Sequence, residues 1–113
     1  MRALLDESVP IRLAKALAGR GCQVSPFPTN WKGLKNGELL RHLREQNVVC
    51  LITCDKNLRF QQAVARSGVG LVVLPRQRFG DLEPLLETIA AATTSATAGT
   101  VKIVNIDGTT SSG

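Results

Sequence analysis

Two short apolar runs that end beside acidic residues constrain the fold of this chain more than any other feature. Residues 2–5 (RALL) lead directly into Asp6 and Glu7. Residues 48–53 (VVCLIT) are followed, one residue later, by Asp55. Brief runs of leucine or β-branched residues are typical of buried parallel strands, and open α/β sheets bind ligands beyond the carboxyl ends of such strands. The two runs therefore predict a parallel sheet with a carboxylate-lined site at one edge.

Helical patterns separate these two runs from three further strand-like segments. The five strands are expected at residues 2–5, 22–27, 48–53, 69–74 and 101–106. The order β-α-β-α-β-α-β-α-β predicts a three-layer α/β/α domain, with a mainly parallel sheet of about five strands and helices on both faces. This single domain is expected to span residues 1–106, and the polar residues 107–113 are expected to form a loose tail.

Capping and turn residues indicate where the four helices begin. The expected starts are Ser8 for the first helix, Asn36 or Gly37 for the second, Asp55 or Asn57 for the third, and residues 81–84 for the fourth. The fourth helix is expected to end near Ala92, before a linker of small residues. All strand-to-helix loops should then lie at one edge of the sheet, because the crossovers between parallel strands are right-handed.

Composition favours a soluble domain with a polyanionic partner. The chain has 113 residues, a net charge of +5 and 43% hydrophobic residues, which suits one folded domain that binds RNA or DNA. A basic protein without such a partner is the alternative. Aromatic residues are few, which argues against an aromatic stacking platform for single-stranded nucleic acid.

The cysteine and histidine inventory argues against a structural zinc site. Three cysteines lack CxxC spacing, and His42 is the only histidine, so four zinc ligands are barely available. These unpaired thiols are typical of the reducing cytoplasm, which is the expected location. No signal peptide is expected, since Asp6 and Glu7 interrupt the start of the chain, and no apolar run is long enough to span a membrane.

Three of the nine acidic residues are expected to meet at the predicted crevice. Asp6 and Asp55 follow buried strands, and Glu38 lies in the first turn of the helix that follows the second strand. Side chains alternate along a strand, so Glu7 is expected to point away from Asp6. Each acid taken alone also fits an ordinary helix-capping role, which is the structural alternative.

A hard divalent cation would explain why several carboxylates converge. Two carboxylates about 4 Å apart repel each other by roughly 4 kcal/mol at an effective dielectric constant of about 20. Mg²⁺ or Mn²⁺ takes oxygen ligands and would relieve this repulsion. Such a metal can polarise a phosphoryl oxygen and lower the pKa of a water molecule, which is the chemistry of phosphodiester hydrolysis.

Basic and polar residues on the same loops are candidates for substrate binding. Six basic residues are expected to surround the crevice: Lys32, Lys35, Lys56, Arg59, Arg76 and Arg78. Loops are polar in general, which is the alternative explanation. Gln61 and Gln62 are further candidates because they follow Asp55 on the next helix. Trp31 is expected to pack over the sheet edge rather than to stack on a base. For His42, a surface ion pair or a partly buried position is expected, with a hydrogen bond to Glu38 on the same helical face as the alternative.

Four segments together resemble a known family. LLDESVP, GLKNGELL, TCDKNLRFQQ and VVLPR, in this order and spacing, resemble the short bacterial PIN-like proteins, which are similar to the PIN ribonucleases of VapC-type toxin–antitoxin pairs. The resemblance covers about residues 2–92, and the segment GTVKIV shows a weaker similarity. It implies a PIN-like fold, a Mg²⁺ or Mn²⁺ site, cleavage of RNA, and an antitoxin protein or a second copy of the chain as candidate partners.

The resemblance also implies roles for particular residues. Asp6, Glu38 and Asp55 would be the metal-binding and catalytic acids. Asn57 stands where many PIN nucleases have a further acid, so it is a candidate metal ligand. Asn36 likewise replaces an acid and is a candidate substrate contact. Both asparagines reduce the negative charge of the site.

Two alternatives to a nuclease remain open from the sequence. The first is a PIN-like module that binds RNA or a protein without cutting it, which Asn36 and Asn57 suggest. The second is a phosphoacceptor receiver domain, since acids after the first and third strands also suit that arrangement. Lys102 argues against the receiver, because it lies inside the last strand rather than after it.

Overall fold

A mostly parallel sheet with helices on both faces forms the protein. The structure is a computed structural model that describes residues 3–113. Its strands are β1 (Ala3–Leu5), β2 (Val24–Ser25), β3 (Cys50–Thr53), β4 (Gly70–Val73), β5 (Val101–Val104) and β6 (Thr110–Ser112). Its helices are α1 (Arg12–Ala18), α2 (Asn36–Glu45), α3 (Leu58–Arg66), α4 (Phe79–Leu82) and α5 (Leu86–Thr94), with 3₁₀ turns at Thr29–Trp31 and Glu83–Leu85. The predicted α/β class is confirmed, and Arg2 of the first predicted strand lies outside the described residues.

The order of the strands reverses direction between β1 and β3, which makes this pair the topological switch point of the sheet. Among residues 3–113 the six strands are ordered β2-β1-β3-β4-β5-β6. All neighbours are parallel except β5 and β6. From β1 the chain first moves outward to β2 and then returns to β3 on the other side of β1. Such a switch point opens a crevice beyond the carboxyl ends of the two strands, where α/β proteins bind ligands.

Side-chain alternation along the central strands builds two separate hydrophobic cores. Leu5 of β1 packs with α1 and α5, in the core that also contains Leu13 and Ile89. Leu4 points to the opposite face and packs with α2 and α3, in the core that contains Leu43 and Val64. All six side chains are at most 1% exposed. The sheet is therefore the middle layer of an α/β/α arrangement.

The expected loose tail is wrong for residues 110–112, which form the antiparallel strand β6. A tight turn brings the chain back, with the Asn105 amide donating to the Thr109 carbonyl at 2.8 Å. Gly108 adopts φ +87°, a left-handed conformation that favours glycine in such a turn. The sheet therefore has six strands instead of about five, and β5 is not at its edge.

The helix starts were predicted with mixed success. The predictions of Asn36 for α2 and of Asn57 as the cap of α3 are confirmed; the Asn57 Oδ1 accepts from the amides of Arg59 at 2.9 Å and Phe60 at 3.3 Å. Ser8 does not cap α1, which begins at Arg12 without a side-chain cap. The predicted fourth helix is interrupted by the 3₁₀ turn at Glu83–Leu85.

No helix within residues 3–113 combines the length and the apolar character needed to cross a membrane.

Candidate functional site beyond the ends of β1 and β3

Asp6 lies at the switch point, with its carboxylate held from two sides. Its amide donates to the Ile52 carbonyl at 2.8 Å, which extends the pairing of β1 with β3 by one residue. Its Oδ2 accepts hydrogen bonds from the Thr53 hydroxyl at 2.8 Å and the Ser8 hydroxyl at 3.0 Å. Asp6 is 9% exposed, and a buried charge needs such hydrogen bonds to offset its lost hydration. The prediction that Asp6 lies at the end of a buried strand is confirmed.

The Thr53 hydroxyl links Asp6 to Asp55. While it donates to Asp6, it accepts a hydrogen bond from the Asp55 amide at 3.0 Å. The Asp55 Oδ1 in turn accepts from the Asn57 amide at 2.8 Å, and the Asp55 carbonyl accepts from Gln61 Nε2 at 3.1 Å. One buried hydroxyl therefore connects the two segments that carry the acids.

Each of the two carboxylates keeps one oxygen free of hydrogen bonds with the described residues. Asp6 uses only Oδ2, and Asp55 uses only Oδ1. No buried side-chain oxygen or nitrogen among residues 3–113 lacks a partner, so the free Oδ1 of Asp6 must reach solvent. Mg²⁺ in proteins is usually bound by one or two carboxylates, with water and substrate phosphates as its other ligands. The donor set of this pair fits a hard divalent cation.

Glu38 does not join the pair through any hydrogen bond or ion pair with residues 3–113. It lies in the first turn of α2 with an exposed side chain. Three His, Cys, Asp or Glu side chains grouped to hold a metal ion are not found in the described part of the chain. The structure thus links two of the three predicted acids and leaves the role of Glu38 as a prediction.

Asn57 and Gln61 are occupied with local backbone groups. The Oδ1 of Asn57 caps α3, and the side-chain amide of Gln61 donates to the Asp55 carbonyl. Gln62 lies elsewhere: with Arg66 and Gly113 it lines a groove of about 480 Å³ between α3 and the β5–β6 hairpin. Metal binding by Asn57 and substrate binding by Gln62 stay predictions. In the structure the Asn57 side chain caps α3, and the Gln62 side chain lines the groove.

Thr53 and Ser8 are site residues that the sequence interpretation missed. Thr53 is fully buried at the end of an otherwise apolar strand. A buried hydroxyl requires a hydrogen-bond partner, so a threonine two residues before Asp55 was a usable signal. Ser8 gave no comparable signal, because its spacing from α1 also fits a helix cap. Its hydroxyl instead donates to Asp6 and accepts from the Cys54 amide at 3.2 Å.

Cys54, Lys56 and Arg76 connect the end of β3 to the loop after β4. The Cys54 Sγ donates to the Arg76 carbonyl at 3.2 Å, and the Lys56 ammonium donates to the Leu74 carbonyl. Burial raises the pKa of Cys54 to about 11; the charge of Lys56 opposes this shift and that of Asp6 adds to it. Burial also lowers the pKa of Lys56, which Cys54 opposes and Arg76 reinforces. Positive charge therefore lies beside the acidic pair.

The predicted basic rim is exposed and free of ion pairs. In the part of the chain that the structure describes, the only ion pair joins Arg41 to Glu45 at 3.5 Å, along α2. The exposed rim residues are Lys32, Lys35, Lys56, Arg59, Arg76 and Arg78, and Asn36 is exposed as well. Their charges are therefore available to a polyanion.

The prediction that Trp31 packs against the domain is confirmed. Trp31 is 7% exposed, and its ring lies 5.0 Å from that of His42 and 6.1 Å from that of Phe27. His42 is half-buried in the same cluster. The tryptophan ring is thus unavailable for stacking on a base.

Comparison with known proteins gives no family for the chain: no protein-family model matches it, and neither do curated proteins or solved structures. The resemblance to PIN-like proteins therefore stays a prediction. Function has to be inferred from the geometry of the crevice.

Proposed function

We propose that this protein is a metal-dependent endoribonuclease of PIN type that binds Mg²⁺ or Mn²⁺ through Asp6 and Asp55. The observation that carries the proposal is that Asp6 and Asp55 follow neighbouring strands and that each keeps one carboxylate oxygen free of hydrogen bonds with the described residues. The Thr53 hydroxyl bonds to the Asp6 carboxylate and to the Asp55 backbone amide, and so joins the two segments. Two acids that are far apart in sequence, on segments joined by one buried hydroxyl, are not explained by helix capping alone.

The residues of the crevice have separable tasks in this proposal. A bound divalent cation would supply a polarised phosphoryl oxygen and a water of lowered pKa. Ser8 and Thr53 hold the Asp6 carboxylate through one oxygen and leave the other oxygen for the cation. Lys56 and Arg76 provide positive charge for the phosphates on either side of the scissile bond. Glu38 is the third acid of the proposed PIN-type site.

The three-layer arrangement is compatible with the PIN-like fold that the sequence resembles, and this finer assignment is part of the proposal. A receiver domain is less favoured, although the order β2-β1-β3-β4-β5 is also that of flavodoxin-like sheets. A receiver needs a cation after β5, but residues 105–113 contain no lysine or arginine. Lys102 within β5 donates instead to the Ser95 hydroxyl of the segment after α5.

A PIN-like module that binds RNA or a protein partner without cleaving RNA is the second candidate. Two observations favour it. Glu38 forms no hydrogen bond or ion pair within residues 3–113, and no group of three potential ligands is found there. Asn57 uses its side-chain oxygen as the cap of α3. A two-carboxylate site would bind metal more weakly than a site with three or four acids.

Cleavage assays with matched acid-to-amide variants distinguish these candidates. Purified wild-type protein is incubated with structured RNAs and Mn²⁺, in parallel with Asp6→Asn, Asp55→Asn and Glu7→Gln. Glu7 is the control because it is an exposed acid directly beside Asp6. The proposal predicts metal-dependent cleavage that is lost in the first two variants and kept in the control.

Cleavage that persists unchanged in Asp55→Asn would contradict the nuclease proposal and indicate a contaminating enzyme. RNA binding without any metal-dependent turnover would favour the binding module instead.

A further inference from the structure

Arg12 and Phe79 form a contact between the starts of two helices, on the α1 and α5 face of the sheet. The guanidinium carbon of Arg12 lies over the Phe79 ring, 4.4 Å from its centroid. Arg12 begins α1 and Phe79 begins α4. Both helices follow strands at the carboxyl edge, so this pair bridges the loops that follow β1 and β4.

The loops that carry the pair are fastened to the acidic site. After β1, the Val9 amide donates to the Asp6 carbonyl at 3.0 Å, which closes the loop tightly before α1. After β4, the Arg76 carbonyl accepts from the Cys54 thiol at 3.2 Å. Phe79 follows Arg76 by three residues, so the aromatic ring and the acids are connected through short, hydrogen-bonded segments.

Arg12 is exposed, and its guanidinium forms no hydrogen bond or ion pair with the rest of residues 3–113. An arginine side chain has considerable rotational freedom, so contact with a ring restricts where its planar group lies. The guanidinium is thus held over the half-buried Phe79 ring, while the Arg12 side chain as a whole stays open to solvent. Planar guanidinium groups are known surfaces for stacking of unpaired bases.

We propose that Arg12, supported by Phe79, is a stacking platform for one unpaired nucleobase beside the scissile phosphate. This inference rests on the proposed function, because the RNA strand that crosses Asp6 and Asp55 brings the base to the platform. It also names the substrate class: single-stranded RNA or an unpaired loop, since a base within a duplex has no free face. The platform is a binding feature and takes no part in the chemical step.

The platform is tested by oligonucleotide binding in EDTA, so that cleavage does not interfere. Two probes of equal length are used: a six-nucleotide oligoribonucleotide with a central 2-aminopurine, and the same oligomer with an abasic central position. Arg12→Lys keeps the charge and removes the planar group. Arg20→Lys is the matched control, because it makes the same change at an exposed arginine beyond the other end of α1.

The proposal predicts that Arg12→Lys weakens binding of the base-bearing oligomer by about tenfold, in line with the loss of one stacked base. Binding of the abasic oligomer should change by less than about twofold, because its phosphates still meet a positive charge. The fluorescence of 2-aminopurine should change on binding to wild type, because the base leaves its stacked neighbours for the platform, and this change should be absent from the Arg12→Lys complex. Phe79→Leu should weaken binding of the base-bearing oligomer in the same selective way.

Three results would overturn the platform. If Arg12→Lys behaves like Arg20→Lys while RNA still binds, the pair only joins α1 to α4, and the nuclease proposal stands without it. If both oligomers lose affinity equally, Arg12 is a phosphate contact. If wild type binds neither oligomer, the platform and the RNA-directed function fail together.

Discussion

The crevice and the C-terminal hairpin each contain a hydrogen bond from a threonine hydroxyl to an aspartate carboxylate, but the two bonds lie in different surroundings. In the crevice, Thr53 donates to Asp6 at 2.8 Å across 47 positions of the chain, and both residues are buried. In the hairpin, Thr109 donates to Asp107 at 2.6 Å across two positions, and both are exposed. The same chemical pair fixes the relation of two strands in one place and shapes a local turn in the other.

Burial and separation along the chain therefore indicate a candidate functional site better than the length of a hydrogen bond does. The shorter bond, at Asp107, competes with water and orders only the turn between β5 and β6. The longer bond, at Asp6, helps to offset the hydration that a largely buried carboxylate loses. A carboxylate that is held in this way is preorganised for a ligand.

Removal of each threonine hydroxyl in turn should show the largest difference in stability between the two regions. Thr53→Val leaves the buried Asp6 carboxylate with one donor fewer and the Asp55 amide without its acceptor. We expect a loss of about 2–3 kcal/mol in the free energy of unfolding. Thr109→Val should cost less than about 0.5 kcal/mol, since it alters an exposed turn. Urea denaturation measures both, and equal losses would refute the distinction between the two regions.

Alkaline pH should lower the free energy of unfolding through the buried thiols near the crevice, and the hairpin should not contribute to this change. Burial raises the pKa of Cys54 from 9.0 to about 11, and that of Cys50 from 9.0 to about 12. Above pH 9 the unfolded chain releases thiol protons that the native state retains, so the free energy of unfolding falls as pH rises toward 11. The lowered pKa of Lys56 acts with the opposite sign below 10.5 and partly offsets this fall.

Thermal melts between pH 8 and pH 11 measure this dependence. Cys54→Ala should make the decline in melting temperature shallower, whereas Thr109→Val should leave its slope as in wild type. A decline with the wild-type slope in Cys54→Ala would show that the thiol of Cys54 is not linked to folding in this way.

Acidic pH should reveal the smallest effect, at the hairpin. Hydrogen bonds from Thr109 lower the pKa of Asp107 below its usual value of 3.8. The carboxylate therefore stabilises the native state above pH 3.8, and this contribution is lost as pH falls through the lowered pKa. Asp107→Asn should slightly flatten the acid limb of the unfolding profile. A marked loss of stability at pH 7 in this variant would contradict its assignment as an exposed turn residue.

The sequence predicted the parts of the fold that depend on local patterns. The apolar runs at β1, β3 and β4 each form a buried strand, because a short run of such residues has to be covered on both faces. The predicted start of α2 at Asn36 and the predicted cap of α3 at Asn57 are confirmed as well. Asp6 and Asp55 were placed beside the crevice because the direction of a parallel strand follows from its connections.

Features that depend on tertiary contacts were not predictable in the same way. β6 has no apolar run, and it is a strand only because the turn at Gly108 pairs it with β5. Ser8 looks like a helix cap in sequence, whereas its hydroxyl is used by Asp6 and Cys54. The position of Glu38 depends on a long irregular connection after β2, whose path no local pattern specifies.

The central claim is that Asp6 and Asp55 bind one divalent cation, and thermal unfolding with increasing Mn²⁺ tests it most directly. Asp6→Asn and Asp55→Asn remove one crevice charge each, and Asp107→Asn removes a hydrogen-bonded carboxylate from the hairpin. At Mn²⁺ concentrations about 100-fold above the dissociation constant, wild type and Asp107→Asn should gain about 2.7 kcal/mol of stability. Both crevice variants should lose this gain; a gain that survives in them, or is absent from wild type, would contradict the claim.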